Sequence, residues 1–167
     1  MQRRSLIILS VLLIGGTGWY LFRPERLFVN ATVSEEFPQE ALAGATTVAG
    51  AQVLASGRFH DVAHQGVGTA TVYQLADGKR VLRFSAFATS NGPDVQVYLV
   101  ATDDARDNET VTKAGFVHIG ALKGNIGDQN YDLPADLDLA KYRAVTIWCR
   151  RFGVNFATAP LTTQAKS

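Results

Sequence analysis

Apolar and polar residues alternate in steps of two along most of the chain, and turn residues interrupt them every 8–12 positions. That is the pattern of short β-strands packed in a sandwich or barrel. Val53, Ala55, Gly57 and Phe59 share one face of a first strand. A second strand over residues 69–75 meets a third over 79–87 through Asp77-Gly78, a hairpin signal because Gly accepts positive φ at no steric cost. In the third strand Leu82, Phe84 and Ala86 face one way, Arg83 and Ser85 the other. Asn91-Gly92-Pro93 is a tight turn before Val95, Val97 and Leu99, and residues 116–122 form another strand. Lys123-Gly124-Asn125-Ile126-Gly127 turns the chain into a strand that runs to Tyr131. Residues 137–142 suit a short helical turn, residues 144–150 the most apolar strand, and Phe152, Val154 and Phe156 alternate in the last. Residues 102–112 are polar and acidic and read as a loop. The expected fold is all-β: an antiparallel sandwich or barrel-like domain of eight or nine strands.

The N-terminus breaks this pattern. Residues 5–22 contain no charge, and Arg3, Arg4 and Arg23 flank them. As a helix they would span about 27 Å, close to the hydrocarbon thickness of a bilayer. Trp19 and Tyr20 stand near the end of the run, where amphipathic rings favour the headgroups. No small-x-small cleavage site and no Cys follow it, so an uncleaved transmembrane anchor is expected rather than a signal peptide or a lipoprotein. With the N-terminus cytoplasmic, the domain lies on the extracytoplasmic side, periplasmic or extracellular, and the bilayer is the first partner through residues 5–22. The expected organisation is an anchor over 1–26, a connecting segment over 27–47 holding an edge strand near 27–33, a β domain over 48–161, and a polar tail over 162–167.

Charge reads differently once the ends are separated. The net charge is +1 over 167 residues. Four arginines against one glutamate give residues 1–26 a charge of +3, which leaves −2 on the remainder. Neither value points to nucleic acid. A single Cys excludes an intramolecular disulfide framework, a Cys-rich zinc site and a Cys-ligated iron–sulfur cluster. The only Met is the initiator and no His closely follows the Cys, which removes a blue-copper site. Cys-x-x-Cys-His is absent, so no covalent c-type haem is expected.

Cys149 is the residue on which chemistry turns. On an extended strand it shares a face with Val145 and Ile147, while Thr146, Trp148 and Arg150 point away. That parity fits a buried thiol, which packs as a small hydrophobe. The alternatives are a redox-active thiol and a ligand to a metal or haem, favoured if Arg150 or Arg151 approaches the sulfur. His60 and His64 have H-x3-H spacing, but in a Gly-rich loop the spacing carries little metal information. His118 sits mid-strand. Ser56, Ser85 and Ser90 have no nucleophile elbow, and a Cys149–His dyad would need the fold to bring the two together. Asp103, Asp104, Asp107 and Glu109 lack the spacing and Gly of a calcium loop. Asp94 lies at a turn-to-strand junction, a place for a carboxylate that caps backbone N–H groups.

Four ordered blocks resemble a known family. They are Gly57-x-Phe59 with His64; Asn91-Gly92-Pro93-Asp94-Val95-x-Val97-Tyr98-Leu99; residues 122–134 from Leu122-Lys123-Gly124-Asn125 to Leu133-Pro134; and Val145-Thr146-Ile147-Trp148-Cys149 through Phe152, Val154 and Phe156 to Ala159. Together they are similar to the DM-thirteen domain, found in Skeletor-type animal proteins, often beside a DOMON domain, and in bacterial membrane-anchored proteins. The resemblance covers residues 53–161. It implies electron transfer, with Cys149 at the family's cysteine position, as a bare thiol or as the holder of haem or a metal. His64 matches the block pattern as a second ligand or proton partner, and Gly92, Pro93, Asp94 and Trp148 match as structural positions. No DOMON neighbour is present in this chain, so any haem such a neighbour holds is missing. A protein redox partner outside the cytoplasm is the implied second partner. The competing function is a protein- or glycan-binding module in which Cys149 is only structural.

Overall fold

The computed structural model of the chain describes residues 2–22, 29–38 and 51–163. The uncharged N-terminal stretch is helical, as α1 (Gln2–Phe22). Its span of a bilayer does not carry over: among the described residues no helix is long and apolar enough to cross a membrane.

The rest is β, in two sheets. One holds β1 (Thr32–Ser34), β2 (Gln52–Arg58), β4 (Gly66–Gln74), β5 (Arg80–Thr89), β8 (Ile126–Leu133) and β11 (Thr162–Thr163), in the order β1-β8-β5-β4-β2-β11. The other holds β3 (His60–Asp61), β6 (Val95–Val100), β7 (Phe116–Ala121), β9 (Ala144–Cys149) and β10 (Val154–Pro160), in the order β3-β10-β9-β6-β7. The expected sandwich is present, with eleven strands among the described residues instead of eight or nine. β3 and β11 account for the excess; at two residues each they are too short to alternate. Every pairing is antiparallel except β1 on β8, which is parallel. Phe84, Leu82, Val72 and Ala70 from the first sheet meet Val97, Leu99, Val145 and Ile147 from the second in one core, all at zero exposure.

The Asp77-Gly78 hairpin forms as its residues demand. Gly78 has φ 87°, and Asp77 accepts a 2.9 Å hydrogen bond from Lys79 N. Further along β5 the simple alternation fails. Ala86 is exposed rather than inward, with φ 50°, and Phe87 takes the core position beside Phe84. The cause is a bulge that crosses three neighbouring strands. Register shifts occur on both sides of β5, and Gly68 and Gly127 on the flanking strands have φ 99° and 103°. A Cβ on Gly68 would lie 2.7 Å from the carbonyl oxygen of Ala86. The left-handed conformation costs an alanine roughly 1–2 kcal/mol. Asp128 compensates: Oδ1 accepts from Ala86 N at 2.8 Å, and Oδ2 pairs with Arg83 at 2.6 Å.

Residues 29–38 lie along this sheet. Ala31 N donates to Asn125 Oδ1 at 2.7 Å, Phe37 packs edge-on to Tyr73 at 4.8 Å, and Arg83 donates to the Glu35 carbonyl at 3.1 Å. The Glu35 carboxylate accepts from Lys123 Nζ at 2.8 Å and from Asn130 N at 2.7 Å. Partial burial alone would raise the Glu35 carboxyl. The Lys123 and Asn130 hydrogen bonds, with the charges of Lys123 and Arg83, outweigh it and hold the group below its usual 4.5. A carboxyl lowered in the folded state stabilises fully above its unfolded value and loses that contribution as pH falls through its folded value. Replacing Glu35 by Gln should therefore cost about 1 kcal/mol at pH 7, with solvent screening taken into account. In denaturant unfolding curves at a series of pH values, that difference should shrink towards zero below about pH 4.5. A gap that stays constant with pH would remove the carboxylate from the account.

Candidate functional site

Strand β9 is buried along its whole length and on both faces. Val145, Ile147 and Cys149 face the core between the sheets, the parity expected from the sequence. Cys149 is a free thiol at zero exposure. β9 lies between β6 and β10, where Cys149 pairs with Val95 on one side and Val154 on the other. The four-residue turn after it closes on the strand: Gly153, with φ 63°, donates its N–H to the Cys149 carbonyl at 2.9 Å. Arg150 N donates to the Asp94 carbonyl at 2.9 Å.

The outward face of β9 is covered by the segment read from sequence as a polar loop. Part of that segment is helix α2 (Asn108–Ala114), with Asp107 as N-cap accepting from Thr110 N at 2.6 Å. Only Val111 of α2 is buried, so no apolar period announces it. Val111 and Ala105 pack with Tyr98, Val100, Ala144 and Trp148 in a second apolar cluster. Between them Asn155 and Thr158 of β10 both donate to the Ala105 carbonyl at 2.9 Å, and Thr146 Oγ1 lies 3.3 Å from Thr158 Oγ1. Sequence reasoning passed over these three residues. Their signal is a polar side chain inside strands that are otherwise continuously apolar. Three acidic residues of this segment form ion pairs, Asp103 with Arg143, Asp104 with Arg106, and Glu109 with Lys113.

The three histidines are apart from the thiol in their bonding. His60 Nε2 binds Asp104 Oδ1 at 2.8 Å. His118 Nε2 binds Gln96 Oε1 at 2.8 Å on the outward face of β6 and β7. His64 lays its ring on Phe156 with centroids 3.9 Å apart, and its backbone N–H donates to the Phe156 carbonyl. Among the described residues no hydrogen bond joins any of them to Cys149, which leaves a Cys–His hydrolytic dyad without its base.

Among the described residues no backbone N–H donates to the Asp94 carboxylate, where a cap was expected. The carboxylate holds the Arg150 guanidinium, Oδ2 to Nε at 2.9 Å, and accepts from Gln96 Nε2 at 2.7 Å. The strand geometry places both side chains within reach, and the guanidinium adds opposite charge and a two-point contact to the hydrogen bonds it donates. The result is a chain of bonds from His118 through Gln96 and Asp94 to Arg150. Gly92 is required by space: a Cβ there would lie 2.9 Å from Val95 Cγ2 and 3.2 Å from Phe156 Cζ. Trp148 stacks on Tyr98 at 6.3 Å, and Tyr98 on Phe116 at 4.2 Å with ring planes 3° apart. This row crosses the sheet from β9 to its β7 edge, where Phe116 is 43% exposed. Burial raises the Tyr98 phenol above its usual range, against the opposing charge of Arg150.

A cleft of ≈ 480 Å³ lies at the Asn91–Asp94 turn, with Pro93 in its wall beside Val29, Gln96 and Lys123. It offers no thiol, imidazole or phenol to a haem iron. Among the described residues no three His, Cys, Asp or Glu side chains gather in a way that could hold a metal ion. Cys149, sealed from solvent and in no such gathering among the described residues, does not fit either group.

The profile of a family described as Electron transfer DM13 matches residues 58–161. No curated protein and no solved structure matches the chain. The match takes in well over half the chain and nearly all of the sandwich, Cys149 included; the chain belongs to this electron-transfer family.

Proposed function

We propose that this member of the electron-transfer family passes electrons at a membrane surface outside the cytoplasm, with Cys149 as its redox-active residue. One observation carries the reading: Cys149 is the only sulfur within the matched residues and stands at zero exposure in strand β9. Thiol–disulfide exchange needs contact between an attacking thiolate and a sulfur. What a sealed thiol leaves open is one-electron exchange with a protein partner across packed side chains. The Cys149 thiol gives an electron to the oxidised partner and its proton to solvent, forming a thiyl radical, and the reduced partner with a proton from solvent restores the thiol. The stacked Trp148, Tyr98 and Phe116 are the aromatic side chains between β9 and solvent on that sheet. His64, packed on Phe156, serves the packing of this end of the sandwich rather than ligation.

The same zero exposure favours a second reading, a binding module in which Cys149 only fills the core. The two differ in one experiment. A potentiometric titration of the native full chain should show a redox transition that Cys149→Ser abolishes. The variant should still fold, at a cost of about 1–3 kcal/mol for a hydroxyl placed among apolar side chains. A transition unchanged in the variant, or none in the parent, would favour the binding module.

Helix α1 is proposed to hold the domain at a lipid bilayer. The apolar side chains between Leu6 and Ile14 stand 59–73% exposed. A helix apolar on every side finds its stable surroundings in lipid or in a protein core. The full chain should float with lipid vesicles in a density gradient and remain at the bottom when Leu9 and Leu12 are replaced by Arg. A parent chain that does not float would contradict the attachment.

A further inference from the structure

The connections of both sheets gather at two ends of the sandwich, and the ends differ. Val95 lies opposite Cys149, Gln96 opposite Ala121, and Val154 opposite Cys149, so connections 90–94, 122–125 and 150–153 meet at one end. Gly66 opposite Thr89 and Ala88 opposite Ile126 bring residues 62–65 there too. Connections 75–79, 101–115 and 134–143 lie at the other end, where seven acidic residues against five basic leave a charge of −2. At the first end Lys123, Arg150 and Arg151 are balanced by Asp94 and by Glu35 and Asp61 at the strand ends beside them. Outside α1, four large apolar side chains stand exposed among the described residues. Phe116, opposite Val100, lies towards the acidic end. The other three, Val29, Val67 beside Gly66, and Phe152, belong to the neutral end. Phe152 is 57% exposed in the β9–β10 turn, next in sequence to Arg150 and Arg151.

We propose that this neutral end faces a phospholipid bilayer, with Phe152 entering the headgroup layer. The proposal rests on the membrane attachment proposed for α1 and adds the orientation of the domain. Chain length limits that orientation. Seven residue steps separate Phe22, the last of α1, from Val29, a reach of at most about 25 Å. Val29 is fixed at the neutral end: its carbonyl accepts from Asn91 Nδ2 at 2.6 Å, and Thr32 follows opposite Ile126. The ten residues of β5 run from one end to the other, which sets the ends about 30 Å apart. With the acidic end on the lipid, Val29 would stand beyond the reach of its tether. Chemistry favours the same end. An exposed aromatic ring gains by leaving water for the boundary between headgroups and acyl chains, and the adjacent guanidiniums suit lipid phosphates. The surplus carboxylates of the other end are repelled by those phosphates. In this orientation Cys149, the last residue of β9, lies at the lipid-facing end of its strand.

The test reads the distance of each end from lipid. Full chain carrying Phe152→Cys, or Ala135→Cys at the acidic end, is labelled with a nitrobenzoxadiazole fluorophore. The parent chain treated alike is the blank for Cys149. Each is mixed with phosphatidylcholine–phosphatidylglycerol vesicles that carry a nitroxide quencher on a lipid headgroup, and the floated fraction is measured. Quenching at position 152 should exceed that at position 135 by at least about threefold, and adding Arg151→Glu should lower it. A chain that does not float removes the attachment and this orientation with it. A chain that floats with equal quenching at both positions, with stronger quenching at 135, or with no response to Arg151→Glu overturns the orientation alone.

Discussion

Burial of strand β9 on both faces is the constraint from which most of this structure follows. A strand so placed can present nothing to water, so each of its residues must be apolar or have its polar atoms satisfied. Val145, Ile147 and Cys149 meet the first condition within the sandwich. Thr146 meets the second, through Thr158 and Asn155 and the carbonyl of Ala105. That carbonyl belongs to the segment that carries α2, so the polar connection between β6 and β7 is a lid on the sheet. The thiol is thus enclosed by the sandwich on one side of its strand and by this lid on the other.

Much of this was legible in the sequence because it depends on period two. The strands, the Asp77-Gly78 hairpin and the inward parity of Cys149 all follow from alternation and turn chemistry. What alternation could not show is where it is broken. Ala86 reads as a core residue until one extra position in β5 turns it outward and brings Phe87 in. The evidence for that bulge lies on other strands, in Gly68, Gly127 and Asp128. Helix α2 was hidden for the opposite reason: it is short, buries one side chain, and its signal is a single N-cap aspartate. Asp94 illustrates a third limit. Its turn position was clear, and Gln96 lies only two residues further along the chain, but Arg150 comes from beyond the end of β9, and only the register of β6 on β9 brings it to Asp94.

The site has the same character. Family membership supplies electron transfer, and the fold supplies a cysteine without the usual means of using one. Among the described residues no histidine hydrogen-bonds it, and no three His, Cys, Asp or Glu side chains gather as a metal site. The cleft walled by the Asn91–Asp94 turn has no sulfur or imidazole either. What surrounds the thiol is the apolar core of the sandwich, with the rings of Trp148, Tyr98 and Phe116 on the other face of its sheet. An electron can cross such packing where a nucleophile or an oxidised sulfur cannot. This separates the proposed role from that of an exposed, low-pKa redox-sensor cysteine.

The most direct test of this account is the rate at which a thiol reagent modifies Cys149 in the native full chain across a denaturant series. If the thiol is sealed by both faces of β9, modification is negligible without denaturant. It then rises with the fraction unfolded, in step with the global transition. Rapid modification in the absence of denaturant, insensitive to its concentration, would mean that the folded domain offers its thiol to contact, and would contradict the account.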